Sequence, residues 1–362
     1  MKNDDSWLES IDGLKGICAF LIAFVWHYQH FVPLNTVPFY PLFRISSDFG
    51  LFYVEYFFLL SGFGMMYGYG RRVTGREISF YAFMGRRIRK IYPLFLLTTG
   101  IVAVLQTLIL WKTGSTFVYP NHDLYHLVLN LLLLQNGILE TGWSMNSPSW
   151  TISVLMPLYV LFYAVNYFSR NQRRIYCFFG GCALLGCVVI LSRENLPVLN
   201  PLMGRGLSCF SIGVLLYGIY ERRDRFESRK VGYMLMLLPL SAYVLLRCGK
   251  GKYAGDLQML TILGIAPAVV YGLLVVPAVK LFFSWKPFVW LGKISMAVYL
   301  FHFPIQCLFK ATQLYLYDHI DYTSLIIWMS YVILTLILSA LYERLASERL
   351  ERWLLRQIRE NG

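Results

Sequence analysis

Eleven apolar runs, at 14–32, 49–69, 91–111, 125–139, 150–168, 175–191, 206–220, 231–246, 258–276, 288–309 and 324–342, take up more than half of the chain. A helix crosses a bilayer with about 20 mostly apolar residues, and most of these runs are close to that length. Of the 362 residues, 57% are hydrophobic and 15% charged, against about 25% charged in soluble domains. Such a chain cannot cover itself with polar surface, which excludes a water-soluble globule. The expected fold class is all-α, a polytopic transmembrane helical bundle.

Basic residues set the number of crossings. The loop 70–90 carries Arg71, Arg72, Arg76, Arg86, Arg87, Arg89 and Lys90, and the loop 169–174 carries Arg170, Arg173 and Arg174. The positive-inside rule puts both in the cytoplasm, so an even number of crossings separates them. Three runs lie between. The shortest, 125–139, is followed closely by Glu140, and parity is restored if it is a short re-entrant or interfacial helix. About ten spanning helices then remain, both termini are cytoplasmic, and inner loops hold 23 Lys+Arg against eight outside, Arg205 counted among the eight.

The first run starts after Asp12 and lacks a small-residue cleavage site, so it is not a removable signal. The chain reads as one integral membrane domain, 1–342, with a basic amphipathic cytoplasmic tail at 343–362 on the inner leaflet. The expected setting is the plasma membrane. The net charge of +13 belongs to loops beside anionic lipid, with no nucleic-acid partner. The seven cysteines form no CxxC and read as small core residues, and no spacing suits a metal.

Ionisable groups at membrane depth are costly and are retained where they face a cavity or a partner. Run 14–32 contains His27 and His30, run 49–69 contains Glu55 followed by Ser61-Gly62, and run 288–309 contains His302. At 1.5 Å per residue, His27, Glu55 and His302 all fall roughly 7–11 Å below the outer boundary. A carboxylate can hold one ring nitrogen of a histidine protonated and leave the other to take a proton from a hydroxyl. His27 as base and Glu55 as its orienting partner fit that pattern. Each also has a plainer reading: His27 as an interfacial anchor, Glu55 as a protonated packing group, His30 and His302 as hydrogen-bonded packing residues. Ser61-Gly62 fits close helix packing better than a nucleophile, since no G-x-S-x-G elbow is present.

On the cytoplasmic side, Arg86, Arg87, Arg89 and Lys90 fall on shared helix faces at the mouth of run 91–111. Such a cluster can clamp a pyrophosphate or 3′-phosphate, or can simply be topological charge. Lys15 could join it or snorkel to the interface.

Five ordered blocks resemble the acyltransferase 3 family of integral membrane acyltransferases. Ile11-Asp12-Gly13-Leu14-Lys15-Gly16-Ile17 resembles its "DGLRGI" start, with His27 about one helix length on. Val54 to Phe63 resembles "VDLFFVLSGF", and Arg86-Arg87-Ile88-Arg89-Lys90-Ile91-Tyr92-Pro93 resembles "RRxxRIxP". Ser147 to Val154 resembles "GPxWSLSV", and Leu291 to His302 resembles "LGxISYxxYLxH". The resemblance implies a ten-helix enzyme moving an acyl group, usually acetyl, from cytoplasmic acyl-CoA to a hydroxyl of an extracytoplasmic or lipid-linked glycan. It carries no permanently bound cofactor, since acetyl-CoA is a substrate.

The mechanism expected from these residues has CoA phosphates meeting Arg86, Arg87, Arg89, Lys90 and Lys15, His27 acting as base oriented by Glu55, and His302 contacting the acceptor or the acetyl oxygen. Ser61, Trp150 and Tyr299 are the candidate oxyanion donors. Four features depart from the pattern. Lys15 and Lys90 replace arginines, and Leu155 stands where the family has a glutamate. The gap from Lys15 to His27 is also one residue longer than in the family, which turns the imidazole by about 100° unless a bulge compensates. Two rival readings stay open: a proton-coupled transporter, because membrane His and Glu also form proton relays, and a non-catalytic module of envelope assembly.

Overall fold

Long apolar runs without strand-like alternation fold into helices and turns. The computed structural model describes residues 6–136, 142–169, 171–193, 198–222, 258–317 and 319–347, with the single positions 139, 196 and 237. No strand occurs among them. In chain order the helices used below are α1 (Ser6–Phe20), α2 (Tyr40–Asp48), α3 (Tyr53–Met65), α4 (Arg71–Thr74), α5 (Phe80–Thr113), α6 (Leu124–Leu131), α7 (Trp150–Ser169), α8 (Gln172–Ser192), α9 (Pro201–Glu221), α10 (Ala266–Val275), α11 (Pro277–Phe283), α12 (Lys286–Lys293), α13 (Ser295–Leu316) and α14 (Leu325–Tyr342). Two units form: Met1–Cys18 with Phe52–Phe80 and Val154–Lys293, and Ala19–Leu51 with Tyr81–Ser153 and Ile294–Gly362.

Six helices among the described residues are long and apolar enough to cross a membrane: Phe80–Thr113, Ser147–Ser169, Gln172–Ser192, Pro201–Glu221, Gln258–Val275 and Leu325–Leu345. A seventh span is counted if α12 and α13, which pass the same test only together, are taken as one. Of the ten expected, runs 14–32 and 49–69 are helical but segmented. The first passes from α1 into a π segment, Leu21–Trp26, and a 3₁₀ turn, His27–His30. The second is a 3₁₀ turn, α3 and a π segment, Met66–Gly70. Run 231–246, apart from position 237, and the tail from 348 onward lie outside the described residues. The expected interfacial helix at 125–139 is α6, whose eight residues extend about 12 Å and cannot cross.

One expectation needs correction. Arg205, assigned from sequence to an outer loop, lies inside α9 and is buried. The helix starts earlier than hydropathy suggests, because Asn200 caps it by accepting the Met203 N–H at 2.9 Å and Pro201 suits its first position.

In the first unit the helices meet through glycine. A Cβ on Gly62 of α3 would overlap the Phe210 carbonyl of α9, and one on Gly213 of α9 would overlap the Leu59 carbonyl of α3. Gly186 of α8 and Gly204 of α9 face each other in the same way. The motif glycines of α1 behave alike, since Gly13 abuts the Phe283 carbonyl and Gly292 of α12 abuts the Asp12 carbonyl. Close backbone approach is how helices associate where no hydrophobic drive separates them from lipid. The second unit packs by side chains, with Val102 and Ile109 of α5 against Phe303, Cys307 and Ala311 of α13.

α14 shows the inversion expected in lipid. Ile326, Met329, Ile333, Ile337 and Leu341 are exposed, whereas Tyr331, Thr335 and Ser339 are buried. α5 runs for 34 residues, about 51 Å against a hydrocarbon core of about 30 Å, so it extends well beyond the bilayer core. The six described cysteines that can be classified are free thiols.

Gly62→Ala should destabilise the α3–α9 crossing by about 1–3 kcal/mol. Gly64→Ala, on the same helix with nothing near its Cβ position, should be neutral or stabilising. Thermal denaturation of both variants in detergent checks the contrast, and equal behaviour would remove the crossing as a constraint.

Candidate active site

The path from α1 to His27 explains the long spacing noted in the sequence. A single extra residue in a helix is taken up as a π-bulge, and the π segment Leu21–Trp26 lies between Lys15 and His27. The backbone then tightens into a 3₁₀ turn, where residues three apart eclipse each other. His27 and His30 are such a pair, with ring centroids 4.9 Å apart and planes 18° apart.

His302 comes from α13, two residues before Pro304. A proline in a helix releases the carbonyl four residues earlier. That carbonyl, on Leu300, accepts from Asn146 Nδ2 at 3.2 Å. His302 is fully buried, and its Nδ1 lies 2.6 Å from the Tyr299 carbonyl oxygen. A carbonyl only accepts, so Nδ1 carries the hydrogen and, in the neutral ring, Nε2 carries the lone pair. His27 Nδ1 lies 2.7 Å from that Nε2, so His27 Nδ1–H is the donor. The two rings are 17° from parallel with centroids 4.8 Å apart, an edge-to-edge contact. His27 Nε2 is left with a lone pair and has no hydrogen-bond partner among the described residues. The ring is only partly buried.

Gln306, one turn beyond His302, fixes the rest. Its Nε2 donates to the His27 carbonyl at 2.8 Å, and its Oε1 lies 2.8 Å from His30 Nδ1. Tyr331 donates to the Ala23 carbonyl at 2.9 Å and Trp328 Nε1 donates to the Phe24 carbonyl at 2.8 Å. The π segment is thus tied from α14. Tyr299 uses its hydroxyl on the Pro148 carbonyl and accepts from Thr151 Oγ1 at 3.4 Å. Trp150, the first residue of α7, is buried beside them in sequence.

The carboxylate expected to orient His27 is engaged elsewhere. Glu55, fully buried in the first unit, accepts from Arg205 Nε at 2.8 Å and from Arg205 Nη2 at 2.8 Å. This fork-to-fork pair uses both carboxylate oxygens, and the ring partner of His27 is His302 instead. Ser61 Oγ lies 2.9 Å from Tyr159 Oη in the same unit, next to the Gly62 crossing. Lys15 Nζ is 2.6 Å from Asp12 Oδ1, three residues earlier.

The basic cluster precedes Pro93 on α5. Arg86 and Lys90 are exposed, and Arg87 and Arg89 are partly buried. Arg89 Nη1 is buried with no hydrogen-bond partner among the described residues, the condition of a guanidinium awaiting an anion. Before α6, Asp123 caps the helix through the His126 N–H at 2.9 Å and holds His126 Nδ1 at 2.6 Å. Those bonds hold the Asp123 carboxyl below the usual carboxylate range, the His126 backbone N–H first among them. This cap is therefore present above the ordinary carboxylate pKa and lost as pH falls through the depressed one.

Sequence reasoning missed Arg205, Gln306, Asn146 and the part played by His30. Gln306 stands four residues after His302 in an apolar helix, a same-face spacing that could have marked it. Arg205 carried a weaker signal, the Asn200-Pro201 helix start. Among the described residues no group of three His, Cys, Asp or Glu could hold a metal ion.

A family model described as an acyltransferase domain matches residues 8–344. Searches of curated proteins and of solved structures return no match.

Removing one partner of a buried ion pair costs about 3–5 kcal/mol, whereas replacing both with apolar groups is often neutral. Glu55→Met and Arg205→Met should each reduce folded protein sharply, and the double variant should recover most of it. Size-exclusion profiles and thermal denaturation of the three variants decide this. A double variant as unstable as the worse single one would reject a strut role for the pair.

Proposed function

The chain belongs to the acyltransferase 3 family, and from that premise we propose that it moves an acetyl group from cytoplasmic acetyl-CoA to a hydroxyl of an extracytoplasmic or lipid-linked glycan. The observation that carries this reading is the lone pair on His27 Nε2, set by the run from the Tyr299 carbonyl through His302 to His27. An imidazole held in one tautomer, with its second nitrogen free of hydrogen bonds among the described residues, is arranged as a general base.

In the proposed step, the acceptor hydroxyl gives its proton to His27 Nε2 as its oxygen attacks the thioester carbonyl carbon. The tetrahedral intermediate collapses with loss of CoA thiolate, which takes the proton back from His27. His302 positions the base, and the charge that His27 gains is shared across the 2.7 Å bond to His302. Tyr299 contributes its carbonyl, because its hydroxyl is committed to Pro148. Glu55 and Arg205 act as a strut in this reading.

The donor phosphates are assigned to Arg86, Arg87, Arg89 and Lys90, supported by the unpartnered Arg89 Nη1. Lys15 is held by Asp12 and is left out of the set. The excess of basic residues in the loops assigned to the inside supports cytoplasmic termini and a plasma-membrane setting.

His27→Ala in protein that stays folded should lower CoA release from acetyl-CoA by about 10²- to 10⁴-fold. His302→Leu should lower it by at least about tenfold through loss of the fixed tautomer. Stopped assays of free thiol, with mass spectrometry of surface glycans, check both. A folded His27→Ala protein with full turnover would falsify the base assignment, and solute movement in liposomes without acetyl-CoA turnover would favour transport. Arg89→Ala should raise the KM for acetyl-CoA about tenfold or more with a smaller effect on kcat, since a charge-assisted pair contributes roughly 1.5–3 kcal/mol.

A further inference from the structure

The catalytic proposal uses one imidazole lone pair, yet the second unit presents two. The His27 carbonyl can only accept, so the Gln306 amide must turn its Nε2 toward it, at 2.8 Å. That leaves Gln306 Oε1 facing His30 Nδ1 at 2.8 Å. An amide oxygen only accepts as well, so His30 Nδ1 carries the hydrogen and the neutral ring keeps its lone pair on Nε2. His30 Nε2 has no hydrogen-bond partner among the described residues, and the ring is partly exposed.

Two routes of backbone origin therefore fix two neighbouring imidazoles in the same tautomer. Tyr119 and Phe303 meet the His30 ring nearly at right angles, at 80° and 85°, which holds its plane. His30 and His27 lie nearly parallel with centroids 4.9 Å apart. Both rings offer an acceptor and neither offers a free donor. A group that satisfies both must donate twice, as two hydroxyls carried close together on one molecule can.

We infer that His30 Nε2 receives a hydrogen bond from a second hydroxyl of the acceptor, next to the one that His27 deprotonates, so that the site selects a polyol over a single alcohol. The inference rests on the proposed acyl transfer and adds a specificity-determining residue to it. An acceptor that one substrate pairs and another leaves without its partner is a source of discrimination.

The test uses purified full-length protein, acetyl-CoA, and two acceptors, cis-1,2-cyclohexanediol and cyclohexanol, read as the ratio of their kcat/KM values. Wild type should favour the diol by about five- to tenfold or more, beyond the roughly twofold statistical advantage of two hydroxyls. His30→Phe keeps the ring packing and should bring the ratio down to about two. His30→Gln, whose Oε1 can stand near the Nε2 position, should keep part of the preference. If His30→Phe does not accumulate, Gln306→Met, which frees the His30 tautomer, should lower the same ratio. A wild-type ratio near the statistical value, or one unchanged in His30→Phe, overturns this inference and leaves the acyl-transfer reading standing. Absence of transfer to either alcohol by wild type overturns this inference, and absence of transfer to a glycan acceptor as well overturns the acyl-transfer reading.

Discussion

A backbone carbonyl can accept a hydrogen bond and can never donate one, and the second unit uses that asymmetry to define its chemistry. The Tyr299 carbonyl fixes His302, and His302 fixes His27. The His27 carbonyl fixes Gln306, and Gln306 fixes His30. No charged group is needed to set any of these protons. The carbonyls are held by helix geometry, so the tautomers follow from the fold.

The same helices need unusual backbone to supply those partners. His27 stands where a π segment meets a 3₁₀ turn, and Gln306 Nε2 reaches its carbonyl there. Pro304 releases the Leu300 carbonyl, which Asn146 then satisfies. Irregular backbone at membrane depth is tolerated only where protein or a wet cavity satisfies it. Tyr331 and Trp328 do this for the π segment. Both come from α14, which turns polar groups inward and aliphatic groups outward.

The sequence made much of this readable. Run lengths gave the all-helical membrane class, and the five motif blocks gave the family before any geometry. The extra residue between Lys15 and His27 called for a bulge, and a π segment lies between them. Ser61-Gly62 fits close helix packing, with Ser61 also a candidate oxyanion donor, and Gly62 abuts the Phe210 carbonyl. The pairing of ionisable groups was not readable. Depth along separate helices brings groups to one level but says nothing of their rotation about the helix axes. Glu55 therefore looked like a partner for His27, when a buried arginine, counted with the outer loops, holds it in a bidentate grip. Gln306 and Asn146 were passed over because amides carry no charge and barely disturb hydropathy, although they complete the network.

A neutral imidazole is a different orienting partner from a carboxylate, and the difference bears on both the ground state and the reaction. Burying a histidine beside an unpaired carboxylate would place a net charge in a poorly solvated site. Two neutral rings avoid that, and the one buried carboxylate in question, Glu55, is neutralised by Arg205. In the proposed reaction, the charge that His27 gains meets the His302 ring across their hydrogen bond and not a bonded carboxylate. In acyl transfer from a thioester the leaving thiolate is a weak base and asks little of the acid. In the proposed reaction the harder proton to move is therefore that of the alcohol, where a second hydrogen bond from the acceptor to His30 would help to hold the attacking oxygen in line.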